Sequence, residues 1–222
     1  MVRVRSFGCS FTAGDELETH PERIFGGSLH AWPAIIARRL SGSYKCFAQA
    51  GRGNLWILNQ LLANCKKDSL HIINWTWIDR LDYLNNQWQT IRPQGTDPKI
   101  AEFYYKNLHS QETDLLNSLC YISTALDFLH THNYSFVMTA IDSLILHDQT
   151  NESAVIKKLR INIRSFLTDF DGMTFLEYSK KHQFPISDNL HPLHQAHDAA
   201  ADIILARINT AIIQESKNEF SI

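Results

Sequence analysis

The sequence predicts a three-layer α/β/α sandwich built on a five-stranded parallel sheet. Short apolar runs alternate with longer segments of helical periodicity along the chain, and parallel strands need such crossover segments to connect them. Right-handed crossovers then place helices on both faces of the sheet. The length of 222 residues, with 44% hydrophobic and 20% charged residues, suits one globular domain spanning residues 1–222.

The predicted strands are short and rich in apolar, β-branched or aromatic residues, as strands covered on both faces usually are. In chain order they are VRVRSF, YKCFAQ, LHIINW, SFVMTAI and MTFLEY. Their carboxyl ends are expected at one edge of the sheet, where α/β proteins bind their ligands.

The predicted helices lie between and after these strands. The apolar residues of HAWPAIIARRL recur at helical spacing: Trp32, Ile35, Ile36 and Leu40. NLWILNQLLANC begins at Asn54, a residue type favoured at the N-cap. The remaining helical patterns are ETDLLNSLCYISTALDFLHTH, SAVIKKLRINIRSFL and HQAHDAAADIILARINTAII.

Residues 77–110 interrupt this alternation. They are too many for a plain connection and are rich in Trp, Tyr, Asn and Gln. Long loops in compact domains are usually functional lids or disordered segments, and the aromatic residues favour a lid. The alternative is a surface excursion with a small helix of its own.

The charge and cysteine content argue against several classes of protein. The chain has 21 Lys and Arg against 23 Asp and Glu, a net charge of -2, so no overall basic field attracts nucleic acid. No apolar stretch has the length of a membrane helix or a signal-peptide core, and the four cysteines form neither a C-x-x-C pair nor a disulfide scaffold. We expect a cytoplasmic protein with reduced thiols, without a nucleic-acid partner or membrane association.

Three familiar motifs are incomplete in this chain. Gly8 and Gly14 are one residue too far apart for a phosphate-binding loop, and no lysine follows them. GRGNLW has Trp56 where a dinucleotide-binding loop has its third glycine. The G-x-S-x-G nucleophile elbow fails at Thr12, which replaces its second glycine.

A histidine cluster near the C-terminus raises the question of a metal site. His191, His194 and His197 follow one another at a spacing of three, which turns around a helix instead of keeping to one face. The chain has no H-E-x-x-H motif. We therefore expect neither a metal nor a cofactor.

The loops after three of the predicted strands carry groups suited to acyl transfer. GCSFTAGDE supplies a serine hydroxyl, AGRGN supplies a glycine-rich turn with an amide side chain, and ISDNLHPLHQAH supplies an acid and a histidine. If the sheet is parallel, all three loops meet at its carboxyl edge.

These segments resemble the conserved blocks of the SGNH/GDSL hydrolases. FGCSFTAGDE is similar to the first block, with Gly-Cys-Ser where Gly-Asp-Ser is usual. AGRGN is similar to the second block, through Gly51 and Asn54. SDNLHP is similar to the last, through Asp188 and His191. The order matches over essentially the whole chain, and the resemblance implies a flavodoxin-like sheet and hydrolysis of esters or thioesters.

The third block departs from the family pattern. The family normally ends this strand with Gly-x-Asn-Asp, whereas this chain has INWTWIDR, which resembles a divergent branch found in bacterial and phage-encoded members. Asn74 and Thr76 are candidates to replace the missing asparagine. Arg80 is either a further supporting residue or a surface partner of Asp79 or Asp82.

The predicted catalytic roles also follow from the chemistry of these side chains. A serine hydroxyl needs an imidazole to accept its proton and a carboxylate to orient that imidazole, which are the roles predicted for Ser10, His191 and Asp188. The oxyanion would be bound by the backbone N–H groups of Ser10 and Gly51. The Asn54 side chain is the expected third donor, unless it only caps its own helix.

The function predicted from these residues is that of a serine esterase acting on a short acyl ester of a polar alcohol, such as an O-acetylated carbohydrate. The polar and aromatic composition of residues 77–110 favours this substrate class. Two alternatives remain open: an acyltransferase of the same fold, and a catalytically silent carbohydrate-binding or assembly module. The oligomeric state is not predicted.

Overall fold

The computed structural model describes residues 2–17, 26–93, 95 and 98–219, with side chains described as far as residue 208 in the last helix. The strands are β1 (Arg3–Phe7), β2 (Ser43–Cys46), β3 (Ser69–Trp75), β4 (Leu81–Asn85), β5 (Gln87–Ile91) and β6 (Ser135–Ala140). The helices are α1 (Ser10–Ala13), α2 (Trp32–Arg39), α3 (Asn54–Asn64), α4 (Pro98–Asn107), α5 (Gln111–Thr131), α6 (Ser143–Leu146), α7 (Ala154–Arg164), α8 (Phe175–Lys181) and α9 (His194–Glu219).

The main sheet is parallel and has the strand order β2-β1-β3-β6. This places β1 in the interior of the sheet, paired with β2 on one side and with β3 on the other. The chain after β1 therefore emerges between the loops that follow β2 and β3. The predicted α/β class with a parallel sheet flanked by helices is confirmed.

The predicted fifth strand, MTFLEY, is wrong. This segment forms α8, which begins with a capping box between Thr174 and Glu177. Among the described residues the main sheet has four strands, and the position of a fifth is marked only by a parallel bridge from Met138 to Leu167. Phe175, Leu176 and Tyr178 of this segment are instead buried on the inner side of α8.

Two hydrophobic cores cover the two faces of the main sheet. One core packs α3, α5 and α7 against the face that carries Phe7, Ile73 and Met138. The other packs α2, α8 and α9 against the face that carries Val4 and Ile72. Because side chains alternate between the faces of a strand, neighbours such as Ile72 and Ile73 serve opposite cores. This is the expected three-layer arrangement.

Within the predicted insertion, residues 81–91 form a β-hairpin and residues 98–107 form a helix. Strands β4 and β5 pair antiparallel, and α4 follows. Asp82 on β4 is 4% exposed and accepts hydrogen bonds from the backbone N–H groups of Gly53 and Trp56 at the start of α3. The insertion is thus attached to the loop after β2, and the small helix of the alternative interpretation is present as α4. No described helix is long and apolar enough to cross a membrane.

Candidate active site

Ser10 lies at the carboxyl edge of the sheet, as the first residue of the short helix α1 directly after β1. Its side chain is 5% exposed, and its hydroxyl makes one long contact of 4.0 Å with the Cys9 sulfur. The helix ends at Gly14, whose φ of 74° is in the left-handed region that favours glycine. The tight turn into and out of α1 fixes the position of Ser10 at the sheet edge.

Gly8 makes this turn possible because a side chain would not fit there. A Cβ at this position would lie 2.1 Å from Thr12 Oγ1 and 3.0 Å from the backbone oxygen of Asn74. The absence of a side chain lets α1 pack directly on the end of β3. The glycine of the first block is therefore explained by close packing.

Gly8→Ala is expected to destabilise the protein by about 1 to 3 kcal/mol and to lower activity by displacing α1. Urea denaturation and esterase assays on the same preparations would measure both effects. In a Thr12→Ala background, Gly8→Ala should lower the free energy of unfolding by less, because the nearest clashing atom, Thr12 Oγ1, is then absent. An equal loss of unfolding free energy in the two backgrounds would contradict this explanation.

His191 lies beside the segment that carries Ser10. Its ring packs on that of Phe11 with 5.3 Å between centroids, and its Nδ1 is 2.9 Å from Glu16 Oε2. No hydrogen bond joins Ser10 Oγ to His191 in this conformation. His191 thus contacts the residue that follows Ser10, and its Nε2 atom is not engaged by any described residue.

The carboxylate at His191 is Glu16, whereas Asp188 was predicted. Asp188 is exposed, and its side chain makes no hydrogen bond or ion pair with a described residue. Glu16 also accepts hydrogen bonds from the side chains of Ser187 and Asn189. Mainly because of the Ser187 hydrogen bond, with contributions from Asn189 and His191, the pKa of Glu16 is lowered to about 2. This carboxylate was missed in the sequence because 175 positions separate it from His191.

The other two histidines of the C-terminal cluster have different surroundings. His197 is buried, accepts a hydrogen bond from the Trp32 backbone N–H at 3.0 Å, and is hydrogen-bonded to the Pro192 carbonyl. Both of its ring nitrogens are therefore occupied by the backbone. His194 is exposed and packs edge-on against His30. The three rings do not converge on one point: each faces a different set of neighbours.

Gly51 of the second block adopts a left-handed conformation with a φ of 74°, which favours glycine. The guanidinium of Arg92, at the end of β5, lies against it, since a Cβ on Gly51 would be 2.9 Å from Arg92 Nη1. The backbone N–H groups of Gly51 and Ser10 donate to no described residue. Both predicted backbone donors are therefore unused, and the insertion reaches the second-block loop through Arg92.

Asn54 does not provide a free donor, which corrects its predicted role. Its Oδ1 accepts from the Thr76 backbone N–H at 2.8 Å, and its Nδ2 donates to the Thr76 carbonyl and to Ser118 Oγ at 3.2 and 3.1 Å. The side-chain amide has two N–H bonds, and both are used by these two partners. It is not the N-cap either, since Gly53 holds that position. Asn54 joins α3 to the end of β3 and to α5.

Asn54→Ala is accordingly expected to lower the free energy of unfolding by about 2 to 4 kcal/mol, because it leaves buried groups of Thr76 and Ser118 without partners. Thermal and urea denaturation would measure this loss. Asn59→Ala on the same helix is the matched control, because the half-buried Asn59 side chain bonds to no described residue. An unchanged free energy of unfolding together with a 100-fold lower kcat would instead indicate that Asn54 stabilises the oxyanion.

The remaining candidates from the third block are also engaged or buried. Thr76 is fully buried, and its Oγ1 accepts from Arg80, which also donates to the Arg52 carbonyl. Asn74 is 1% exposed; its Oδ1 accepts from Thr139, while its Nδ2 has no partner among the described residues. Arg80 and Thr76 thus join the loops after β2 and β3. The backbone oxygen of Asn74 lies against Gly8.

Solved structures share this fold. A carbohydrate esterase family 2 enzyme with a carbohydrate-binding domain from Corynascus thermopiles (Myceliophthora fergusii) is similar with a TM-score of 0.53 and 13% identity, over 95% of this chain and 66% of that one. Another carbohydrate esterase, with divergent catalytic and non-catalytic binding functions at its active site, gives a TM-score of 0.52 and 14% identity, over 94% and 65%. This chain thus spans about two thirds of the length of each.

A lipolytic protein of the G-D-S-L family from Desulfitobacterium hafniense DCB-2 is similar over 91% of this chain and 99% of that one, with a TM-score of 0.46 and 13% identity. No protein-family model and no curated protein matches the sequence. The likeness to these proteins at such identities is one of fold.

Proposed function

We propose that this chain is a serine esterase of the SGNH/GDSL type, with Ser10 as nucleophile and His191 as general base. The observation that carries the proposal is the position of His191, which packs on Phe11 directly after Ser10 and is hydrogen-bonded to Glu16 in the same segment. A serine at a sharp turn with a histidine beside it is the arrangement that acyl transfer needs.

The reaction would proceed through an acyl-enzyme. Ser10 Oγ attacks the ester carbonyl while His191 Nε2 takes its proton, and the same imidazolium then protonates the leaving alcohol. The backbone N–H groups of Ser10 and Gly51 are the donors proposed for the oxyanion, because both are without partners among the described residues. Water, activated by His191, releases the acid and restores Ser10.

The proposed substrate is a short acyl ester of a polar alcohol, such as an O-acetylated carbohydrate. Two features support it: residues 77–110 are rich in polar and aromatic side chains, and two structural neighbours are carbohydrate esterases. The hairpin and α4 would then form one wall of the substrate site, with Arg92 placed against Gly51.

A substrate screen tests this proposal. The purified protein would be assayed on aryl esters of increasing chain length, acetylated sugars and acyl thioesters, with and without an excess of an acceptor alcohol. We expect hydrolysis of acetyl esters and weak activity on long chains. Preference for long-chain esters would contradict the substrate class, and acyl transfer to the alcohol exceeding hydrolysis would favour the transferase.

A further inference from the structure

Glu16 and the loop of residues 187–191 form one hydrogen-bonded unit. The Glu16 carboxylate accepts from three side chains of that loop: Ser187, Asn189 and His191. The Ser187 hydroxyl also accepts from the His191 backbone N–H at 3.1 Å, while the Ser187 N–H donates to the His191 carbonyl at 2.9 Å. The carboxylate is thus the centre around which the histidine loop is arranged.

We propose that Glu16, and not Asp188, is the carboxylate that positions His191 for catalysis. This inference rests on the proposed function. A carboxylate at Nδ1 holds the imidazole in the tautomer whose Nε2 lone pair is free to accept a proton from the nucleophile. The first block would then supply both the nucleophile and the positioning acid, six residues apart and separated by the left-handed turn at Gly14.

The surroundings of Glu16 suit this role. Its side chain is 33% exposed and that of His191 is 16% exposed, so the pair is shielded without being fully desolvated. Hydrogen bonds from Ser187 and Asn189 occupy further lone pairs of the carboxylate and lower its pKa to about 2, which keeps it charged at neutral pH. An ionised carboxylate can accept from Nδ1–H at any pH where an esterase works.

The loop geometry explains why Asp188 does not take this place. Leu190, between Asp188 and His191, has a φ of 64°, in the left-handed region. This turn and the paired Ser187–His191 backbone direct the His191 ring toward Glu16, while Asp188 is left exposed. The spacing Asp-x-x-His alone therefore does not determine which carboxylate the histidine meets.

Three variants test the assignment on the full chain. Glu16→Gln keeps the shape of the side chain but loses the charge, and we expect kcat to fall by about 10²- to 10⁴-fold with KM nearly unchanged. Glu16→Asp should recover part of the loss, because it restores a carboxylate at a shorter reach. Asp188→Asn is the matched control and should stay within about threefold of the wild type.

A spectroscopic measurement gives a readout that does not depend on activity. The Nδ1–H proton of a histidine hydrogen-bonded to a carboxylate gives a far-downfield proton NMR signal, which His191→Gln would assign. This signal should disappear in Glu16→Gln and persist in Asp188→Asn. The reverse pattern, in the spectra or in kcat, would overturn the inference in favour of Asp188.

The same data separate the two proposals. A wild-type protein without esterase activity, whose downfield signal still depends on Glu16, would overturn the proposed function while the Glu16–His191 pairing stands. An active enzyme in which Glu16→Gln changes neither kcat nor the signal would overturn this inference alone.

Discussion

Ser10→Ala is expected to lower kcat on a short acyl ester by about 10³-fold or more, with little change in melting temperature. The activity is lost because the other hydroxyl of α1, on Thr12, is fully buried and does not replace the Ser10 nucleophile. The stability is kept because the Ser10 hydroxyl makes only the 4.0 Å contact with the Cys9 sulfur. Kinetics and thermal denaturation of the same preparation would measure both.

Cys9→Ser is the control for this experiment. Cys9 is fully buried, which disfavours it as a nucleophile, so the variant should keep activity, and alkylating reagents should inactivate neither the variant nor the wild type. If Ser10→Ala stayed active while alkylation or Cys9→Ser abolished turnover, the nucleophile would be the thiol and the serine mechanism would be wrong.

The fold could be predicted from the sequence where hydrophobic periodicity was decisive. The strand β3 and the helix α5 match the segments predicted for them with a difference of at most one residue at each end. The prediction of a fifth strand is wrong because the aromatic and apolar content of MTFLEY favours a strand without determining one. Its buried residues Phe175, Leu176, Tyr178 and Ser179 follow helical spacing, and Thr174 with Glu177 is a capping-box pair that the sequence already contained.

The candidate site was predictable only in part, because some contacts join residues far apart in the chain. The first and last blocks indicated Ser10 and His191, which the structure brings to the same edge. Asn54 was assigned from local position, but its amide bonds to Thr76 and Ser118, and the start of α3 is bound by Asp82, 29 positions from Gly53. No local pattern in the sequence reports such a partner.

The largest expected effect of pH on stability concerns His197. Burial lowers the pKa of this histidine to about 3 from its ordinary value of 6.5, against a smaller opposing effect of its hydrogen bond to the Pro192 carbonyl. Its Nδ1 accepts from the Trp32 N–H, which only the neutral ring can do. The folded state therefore needs the unprotonated form, whereas the unfolded chain takes up a proton below pH 6.5.

The sign of the effect follows from this difference. The contribution of His197 to stability is fully present above pH 6.5 and is lost as the pH falls toward 3, by up to about 1.4 kcal/mol per pH unit. At pH 4.5 the loss would reach about 2.7 kcal/mol. Urea denaturation of the wild type between pH 7.5 and 4.5 would measure it. Burial also lowers the pKa of His71, so this residue adds to the slope of stability against pH in the same direction.

His197→Asn separates this contribution from the others. The asparagine carbonyl can still accept from the Trp32 N–H but does not titrate, so the variant should be less stable at pH 7.5 and should lose less stability on acidification than the wild type. His194→Asn, on the exposed side of the same helix, is the matched control and should keep the wild-type slope. Equal slopes in the wild type and His197→Asn would show that folding does not change the pKa of His197, which would contradict this prediction. A smaller slope in His197→Asn would show that this buried ring contributes to the loss of stability in acid.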